Sequence, residues 1–380
     1  MSAPLQIGYD AKRALFNHTG LGNYSRNLLT ALAQYYPENH YHLYSPKVAP
    51  RGIEPLLQNT PFVPHYPTGW LDRMFPFLWR SVMLGSQIAG DGIQLFHGLS
   101  NELPFDILES KVRSVVTIHD LIFLDHPELY PALDRQIYRT KSSLACERAN
   151  NIIAISEQTK QSIIKHFGTR ECKITVVYQS CDPAFLATPS PEHIADVKNR
   201  YQLPSQYILC VGSIAPRKQT LQLVEAFHAL NNRGLKLVLV GDGGSYKQQV
   251  VQYIKTNGLT DKVLFLKNIP VEDLPAIYSQ ALAMVYPSIM EGFGIPIIEA
   301  LHCGTPVITT SGGCFEEAGG DAALYVPAGN VAQLTKTLRE VTESSDLRQQ
   351  MIESGFAHAQ QFTPKTFADG VMAVYRKALA

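Results

Sequence analysis

Short apolar runs alternate along the chain with longer stretches whose apolar residues recur at helical spacing. That alternation predicts parallel sheets covered by helices. In the first half, residues 5–10 (LQIGYD), 94–98 (QLFHG), 114–120 (SVVTIHD), 151–156 (NIIAIS) and 173–178 (KITVVY) read as strands, with helices over 23–35 and 133–150. Ser156 ends its strand in position to cap the next helix. Residues 182–206 then break the rhythm with four prolines and no β-branched run, which reads as a connector holding at most one short helix. The alternation resumes with strands at 207–213, 235–243, 262–269, 281–288 and 306–311, separated by helices over 219–231, 245–256, 272–279 and 296–303. Residues 364–380 read as a last helix with Phe367, Val371, Val374 and Leu379 on one face. The expectation is an α/β chain of two Rossmann-like, doubly wound parallel-sheet domains facing a cleft. Its parts are a domain over 1–183, a linker over 184–206, a domain over 207–362, and a helix over 363–380 that packs back toward the first domain.

Length agrees with that division, since 380 residues exceed the roughly 100–200 of one ordinary domain. The 33 Lys+Arg balance 33 Asp+Glu, and only 17% of residues are charged against 45% hydrophobic. Such a chain is neither disordered nor built to grip nucleic acid by neutralising phosphates, so any anion it binds must be held by a local device. The six cysteines form no C-x-x-C pair and do not crowd with histidine, which predicts buried, reduced thiols and no zinc site. The first residues lack a signal-peptide pattern and no apolar run is long enough to span a bilayer. A cytoplasmic protein is expected, at most peripheral to the inner face of the membrane.

The most informative segment runs from 291 to 308, EGFGIPIIEALHCGTPVI. Pro296 at the start of a short helix, Gly294 before it and Gly304 after it bracket that helix behind the strand over 281–288. A helix start with Gly292 and Gly294 then offers backbone N–H groups and a partial positive charge, which can hold a diphosphate without lysines. Glu291 and Glu299 stand eight positions apart. Like charge forbids both as phosphate ligands, and they suit hydroxyl recognition better. The simpler alternative makes Glu299 a first-turn acid favoured by the helix dipole.

The run E-G-F-G-x-P-x-x-E-A followed by G-x-P-V-I resembles the E-x7-E signature of the retaining GT-B glycosyltransferases of family 4. Further matches follow in the family's order: Gly20, Gly22 and Tyr24 in an N-terminal glycine loop, His119-Asp120 at a strand end, Gly212 through Arg217-Lys218, and Val240 through Gly243. The resemblance implies an N-terminal acceptor-binding domain and a C-terminal domain holding a nucleotide sugar. It gives Arg217 and Lys218 to the diphosphate, amides around Phe293, Gly294 and Ile295 to the same phosphates, Glu299 to the ribose, and Glu291 and His119 to the transferred sugar. Gly20 and Gly22 would let the backbone approach the diphosphate. Read alone they could belong to a dinucleotide fingerprint, but Ser25 stands where a third glycine or alanine is needed.

No D-x-D occurs, so no metal and no other cofactor is expected. The implied reaction moves a hexose, mannose from GDP-mannose first and a UDP-hexose second, to a glycan or lipid-linked acceptor in surface polysaccharide or lipopolysaccharide synthesis. A phosphorylase, a sugar-nucleotide epimerase and an inactive carbohydrate-binding scaffold are the alternatives, the last disfavoured by intact Glu291, Glu299, Arg217 and Lys218. Two stretches depart from the family pattern, 179–182 (QSCD) and 311–314 (SGGC), and neither is expected to touch the diphosphate site. Residues 69–85 hold both tryptophans, Trp70 and Trp79, beside Arg73 and Arg80. They read either as a buried helix with exposed arginines or as a basic aromatic patch from Trp70 to Trp79 that contacts a membrane.

Overall fold

A computed structural model describes residues 4–17, 19–48 and 61–380 of the chain. It divides into two compact units, Met1–Ser180 with Thr363–Ala380, and Cys181–Phe362.

The first unit is built on seven parallel strands among the described residues: β1 (Gln6–Asp10), β2 (His40–Tyr44), β3 (Phe62–His65), β4 (Leu95–Gly98), β5 (Arg113–Ile118), β6 (Asn151–Ala154) and β7 (Ile174–Val176). Their spatial order is β3-β2-β1-β4-β5-β6-β7, so the order reverses between β1 and β4. The sequence pattern missed β2, whose HYHLY is masked by histidines, and β3, whose Pro64 is tolerated because the strand lies at the sheet edge. The helix Pro364–Leu379 belongs to this unit. It buries Phe367, Val371 and Val374, and Tyr375 places its hydroxyl 2.6 Å from Nδ1 of His97 on β4.

The second unit carries six parallel strands, β8 (Tyr207–Val211), β9 (Lys236–Val240), β10 (Val263–Leu266), β11 (Ala283–Tyr286), β12 (Val307–Thr310) and β13 (Ala323–Val326), in the order β10-β9-β8-β11-β12-β13. Here the reversal falls between β8 and β11. One continuous apolar core joins the sheet to the flanking helices, including Val331–Glu343 and Ser345–Ala359, which the sequence pattern did not single out. Residues 184–206 are not a free linker. Ser190 caps a helix over Pro191–Arg200, Val197 is buried, and Arg200 reaches Asp273 at 2.8 Å, so the segment is part of the second unit.

Residues 69–85 match neither sequence alternative in full. The short helices Trp70–Met74 and Pro76–Leu78 run into a π-helical turn, Trp79–Met83, which shifts the angular register of the residues after Leu78. Trp79 is therefore buried (2% exposed) and Arg80 is enclosed beside Asp10, while Trp70 is 70% exposed together with Met74, Phe75 and Phe77. Trp79 and Arg80 are removed from any surface patch. The thiols depart from the expected burial at three positions, since Cys172 is exposed and Cys210 and Cys303 are half-buried.

Candidate active site

Open parallel sheets bind ligands beyond strand C-termini where the strand order reverses. In the second unit that point lies between β8 and β11, and Arg217, Lys218 and Glu291 converge there. After β8 a single 3-10 turn, Pro216–Lys218, presents Arg217 and Lys218. After β11 the loop through Glu291 leads into the helix Ile295–His302. The two loops are stitched together: Ile289 N–H donates to the Arg217 carbonyl at 2.9 Å, and the Arg217 guanidinium donates to the Met290 carbonyl.

Glu291 Oε1 is the hub. Arg217 Nη1 lies 2.6 Å from it, Lys218 Nζ 2.5 Å, and the Ser288 hydroxyl donates to it at 2.5 Å. Burial would push this carboxyl up, but the charges of Lys218 and Arg217 prevail and hold it below the ordinary glutamate range. For Lys218 the balance is opposite: burial and the nearby guanidinium lower the ammonium despite Glu291. Lys218 also donates to the Tyr286 hydroxyl at 2.5 Å. The sequence gives no sign of Tyr286 beyond its place at the end of β11.

The turn before the helix has the form its glycines imply. Gly294 has φ +111°, and a Cβ there would lie 3.1 Å from Ile297 Cδ1, so glycine alone fits without strain. Phe293 turns its ring inward against Phe362, with centroids 5.5 Å apart, while Gly292 stays at the partly exposed rim. Ile295 is the first helical residue, and the first-turn amides of a helix have no intrahelical acceptor. Cys314 Sγ lies 3.2 Å from the Glu291 carbonyl, so the stretch 311–314 packs against this loop.

Glu299 lies in the second turn of its helix, which removes the first-turn alternative. Tyr278 donates to its Oε2 at 2.7 Å. Burial, with Asp182 adding, pushes its carboxyl up to about 7 against the opposing Tyr278 hydrogen bond.

In the first unit, His119 follows β5 and is 5% exposed. Its Nε2 lies 2.8 Å from the Leu99 carbonyl, which can only accept, so Nε2 carries the proton and Nδ1 does not. Burial pushes this imidazole down to about 4, leaving it neutral at pH 7 and unable to serve as a cationic acid. Asp120 does not orient the ring at Nε2; its Oδ1 accepts from Ile122 N at 3.2 Å. Tyr24 meets the ring edge-on at 4.5 Å. The two glycines of the N-terminal loop differ in surroundings. Nothing lies within 4 Å of a Cβ built on Gly20, whereas one on Gly22 would lie 1.8 Å from the Asn17 carbonyl. Gly22 N–H donates to the Thr19 carbonyl at 2.9 Å and to Asn17 Oδ1 at 3.3 Å, and its missing Cβ lets the Asn17 carbonyl come close. Among the described residues no group of three or more His, Cys, Asp or Glu is arranged to hold a metal ion, and no helix is long and apolar enough to cross a membrane.

Two parallel-sheet units of this kind define the GT-B glycosyltransferase fold. The Anabaena protein HepE, solved with UDP and glucose, superposes with a TM-score of 0.76 over 98% of this chain and 100% of its own at 19% identity. Residues 18–185 match the model described as Glycosyltransferase Family 4, and residues 194–358 the model described as Glycosyl transferases group 1. The O-antigen chain mannosyltransferase B of Escherichia coli is 30% identical over 71% of this chain and 70% of its own length. The O-antigen chain mannosyltransferase RfbU of Salmonella typhimurium is 28% identical over 62% of each. The chain belongs to the family-4 glycosyltransferases.

Proposed function

We propose that the protein transfers a hexose, with retention of anomeric configuration and without a metal ion, from a nucleotide sugar to a glycan or lipid-linked acceptor in surface polysaccharide synthesis. The observation that carries this reading is the convergence of Arg217 and Lys218 on one carboxylate oxygen of Glu291, beside a helix N-terminus at the β8/β11 reversal. Fixed cations there stabilise the diphosphate as it takes up charge in leaving. The bond between the anomeric carbon and the phosphate oxygen breaks, the acceptor oxygen bonds the same face, and the acceptor proton passes to the departing phosphate oxygen. Glu291 takes hydroxyls of the transferred sugar and Glu299 those of the ribose. His119 meets the sugar through its carbonyl and ring.

GDP-mannose is the first donor choice, supported by the two mannosyltransferase relatives, and a UDP-hexose the second, supported by the UDP and glucose bound to the HepE structure. A thermal-shift panel of nucleotide sugars, followed by donor turnover in EDTA and NMR of the product's anomeric signal, tests the reading. Stabilisation by one donor, EDTA-resistant turnover and a retained anomer are expected. No donor-dependent turnover, or an inverted product, would overturn it. A pyridoxal absorbance band would instead favour a phosphorylase.

The ribose role predicts a pH dependence. A nucleotide sugar's diphosphate keeps its charge near neutrality, so a carboxyl titrating near 7 must appear in donor affinity if its ionised form accepts from the ribose. Donor Kd should weaken about tenfold from pH 8 to pH 6, and Glu299→Gln should flatten the curve. Wild-type affinity constant over that range refutes the role.

A further inference from the structure

The first sheet has its own strand-order reversal, between β1 and β4, and a second constellation of charges lies there. Asp10 is the last residue of β1 and Glu102 follows β4. Arg80 donates through Nε to both Asp10 oxygens, at 3.1 and 2.9 Å, and through Nη1 to Glu102 Oε2 at 3.0 Å. Lys141 reaches the other Glu102 oxygen at 3.2 Å. Every oxygen of the two carboxylates is therefore met by a cation. Both carboxylates line an open, shallow groove together with Arg80, Lys141 and Arg148. Spare hydrogen-bonding capacity around this groove is on the donor side. Lys141 has used one of its three N–H groups on Glu102, and Arg148 gives Nη1 to the Phe105 carbonyl at 2.7 Å. Lys12 adds a further cation, lowered by its burial and by the charge of Arg80. The groove thus carries surplus positive charge and has no unengaged carboxylate oxygen, the opposite of a site for a neutral sugar.

Its rim is apolar. Lys141 stands over the Phe77 ring at 5.7 Å and Arg148 over the Phe105 ring at 5.5 Å, and both rings are exposed. Exposed Leu133 and Ile137 lie two turns and one turn before Lys141 on the same helix face, and Trp70, Met74 and Phe75 precede Phe77. So much apolar surface around a cationic groove calls for an amphipathic anion.

We propose that this groove seats the phosphate or diphosphate of a lipid-linked acceptor through Lys141 and Arg148, with the lipid lying along Phe77, Phe105 and the neighbouring exposed face. The inference rests on the glycosyltransferase reading for its term "acceptor". The site itself stands on the first unit's geometry.

Calorimetric titration of the full chain with farnesyl diphosphate, inorganic pyrophosphate and farnesol tests it, with GDP titrated in parallel. Farnesyl diphosphate should bind at least tenfold more tightly than either fragment. The variant Lys141→Ala/Arg148→Ala should lose at least tenfold of that affinity while keeping wild-type circular dichroism and GDP binding, and Phe77→Ser/Phe105→Ser should lose the advantage over pyrophosphate. Lys218→Ala should lose GDP and keep farnesyl diphosphate. Equal affinity for pyrophosphate and farnesyl diphosphate, or undiminished binding in the Lys141→Ala/Arg148→Ala variant, overturns the proposal. Failure of GDP to bind while farnesyl diphosphate binds would count against the nucleotide reading alone.

Discussion

Replacing Lys218 by alanine is expected to lower kcat/KM by about 10²–10³-fold, in line with the loss of one preorganised charge facing a developing anion. The residue is a partly buried cation whose ammonium is destabilised by its surroundings even with Glu291 beside it. An incoming diphosphate supplies the counter-charge that one shared glutamate supplies incompletely, in a site where water screens little. Both binding and turnover should suffer, because the phosphate is charged in the bound donor and more so as it leaves. Lys218→Arg should recover only part of the loss, since a planar guanidinium does not fit the point contacts that Nζ makes with Glu291 and the Tyr286 hydroxyl. Steady-state kinetics on the preferred donor check this. A loss under tenfold for Lys218→Ala would remove the residue from the machinery.

Glu291→Gln is expected to behave differently: turnover should fall by about 10²-fold or more, while free nucleoside diphosphate binds as well as to wild type, or better. In the ligand-free chain one oxygen of Glu291 engages both Arg217 and Lys218. The carboxylate therefore competes with the diphosphate for these cations, and neutralising it removes the competitor. The transferred sugar is absent from a nucleoside diphosphate, so the hydroxyl contacts assigned to Glu291 cannot contribute to that affinity. Losing an interaction that is made in the transition state and missing for the free product lowers kcat without raising the product Kd. Paired measurements of kcat and nucleotide Kd on the same preparation decide it. A parallel fall in both would mean that Glu291 serves nucleotide binding and not the sugar.

The architecture was legible because parallel strands buried on both faces are written as plain apolar runs, as in KLVLV of β9 and VITT of β12. Two strands that break this rule were missed, β2 with two histidines in five residues and β3 with a proline that only an edge strand accepts, and so was β13, whose ALYV is a plain but short apolar run. The loop from Glu291 to Gly294 was legible because its chemistry is local, a positive-φ glycine at a helix start behind a strand. The partners of its charges were not. Tyr286 and Tyr278 are ordinary core tyrosines in sequence, yet their hydroxyls hold Lys218 and Glu299. The neighbour of Gly22 was not legible, because a Gly-rich helix start looks the same whatever its amides and open Cα face; in the fold Asn17 packs there. Asp10, Arg80, Glu102 and Lys141 come from four separated segments, and only the β1/β4 reversal of the sheet assembles them.

The central claim is that the second unit grips a nucleoside diphosphate at the β8/β11 reversal. It is tested most directly by calorimetric titration of GDP, and of UDP in parallel, into wild type, Lys218→Ala and Glu291→Gln. The expected result is one preferred nucleotide, affinity at least tenfold weaker in Lys218→Ala, and affinity equal to or tighter than wild type in Glu291→Gln. The same affinity in all three proteins, or no binding of either nucleotide to wild type, would contradict it.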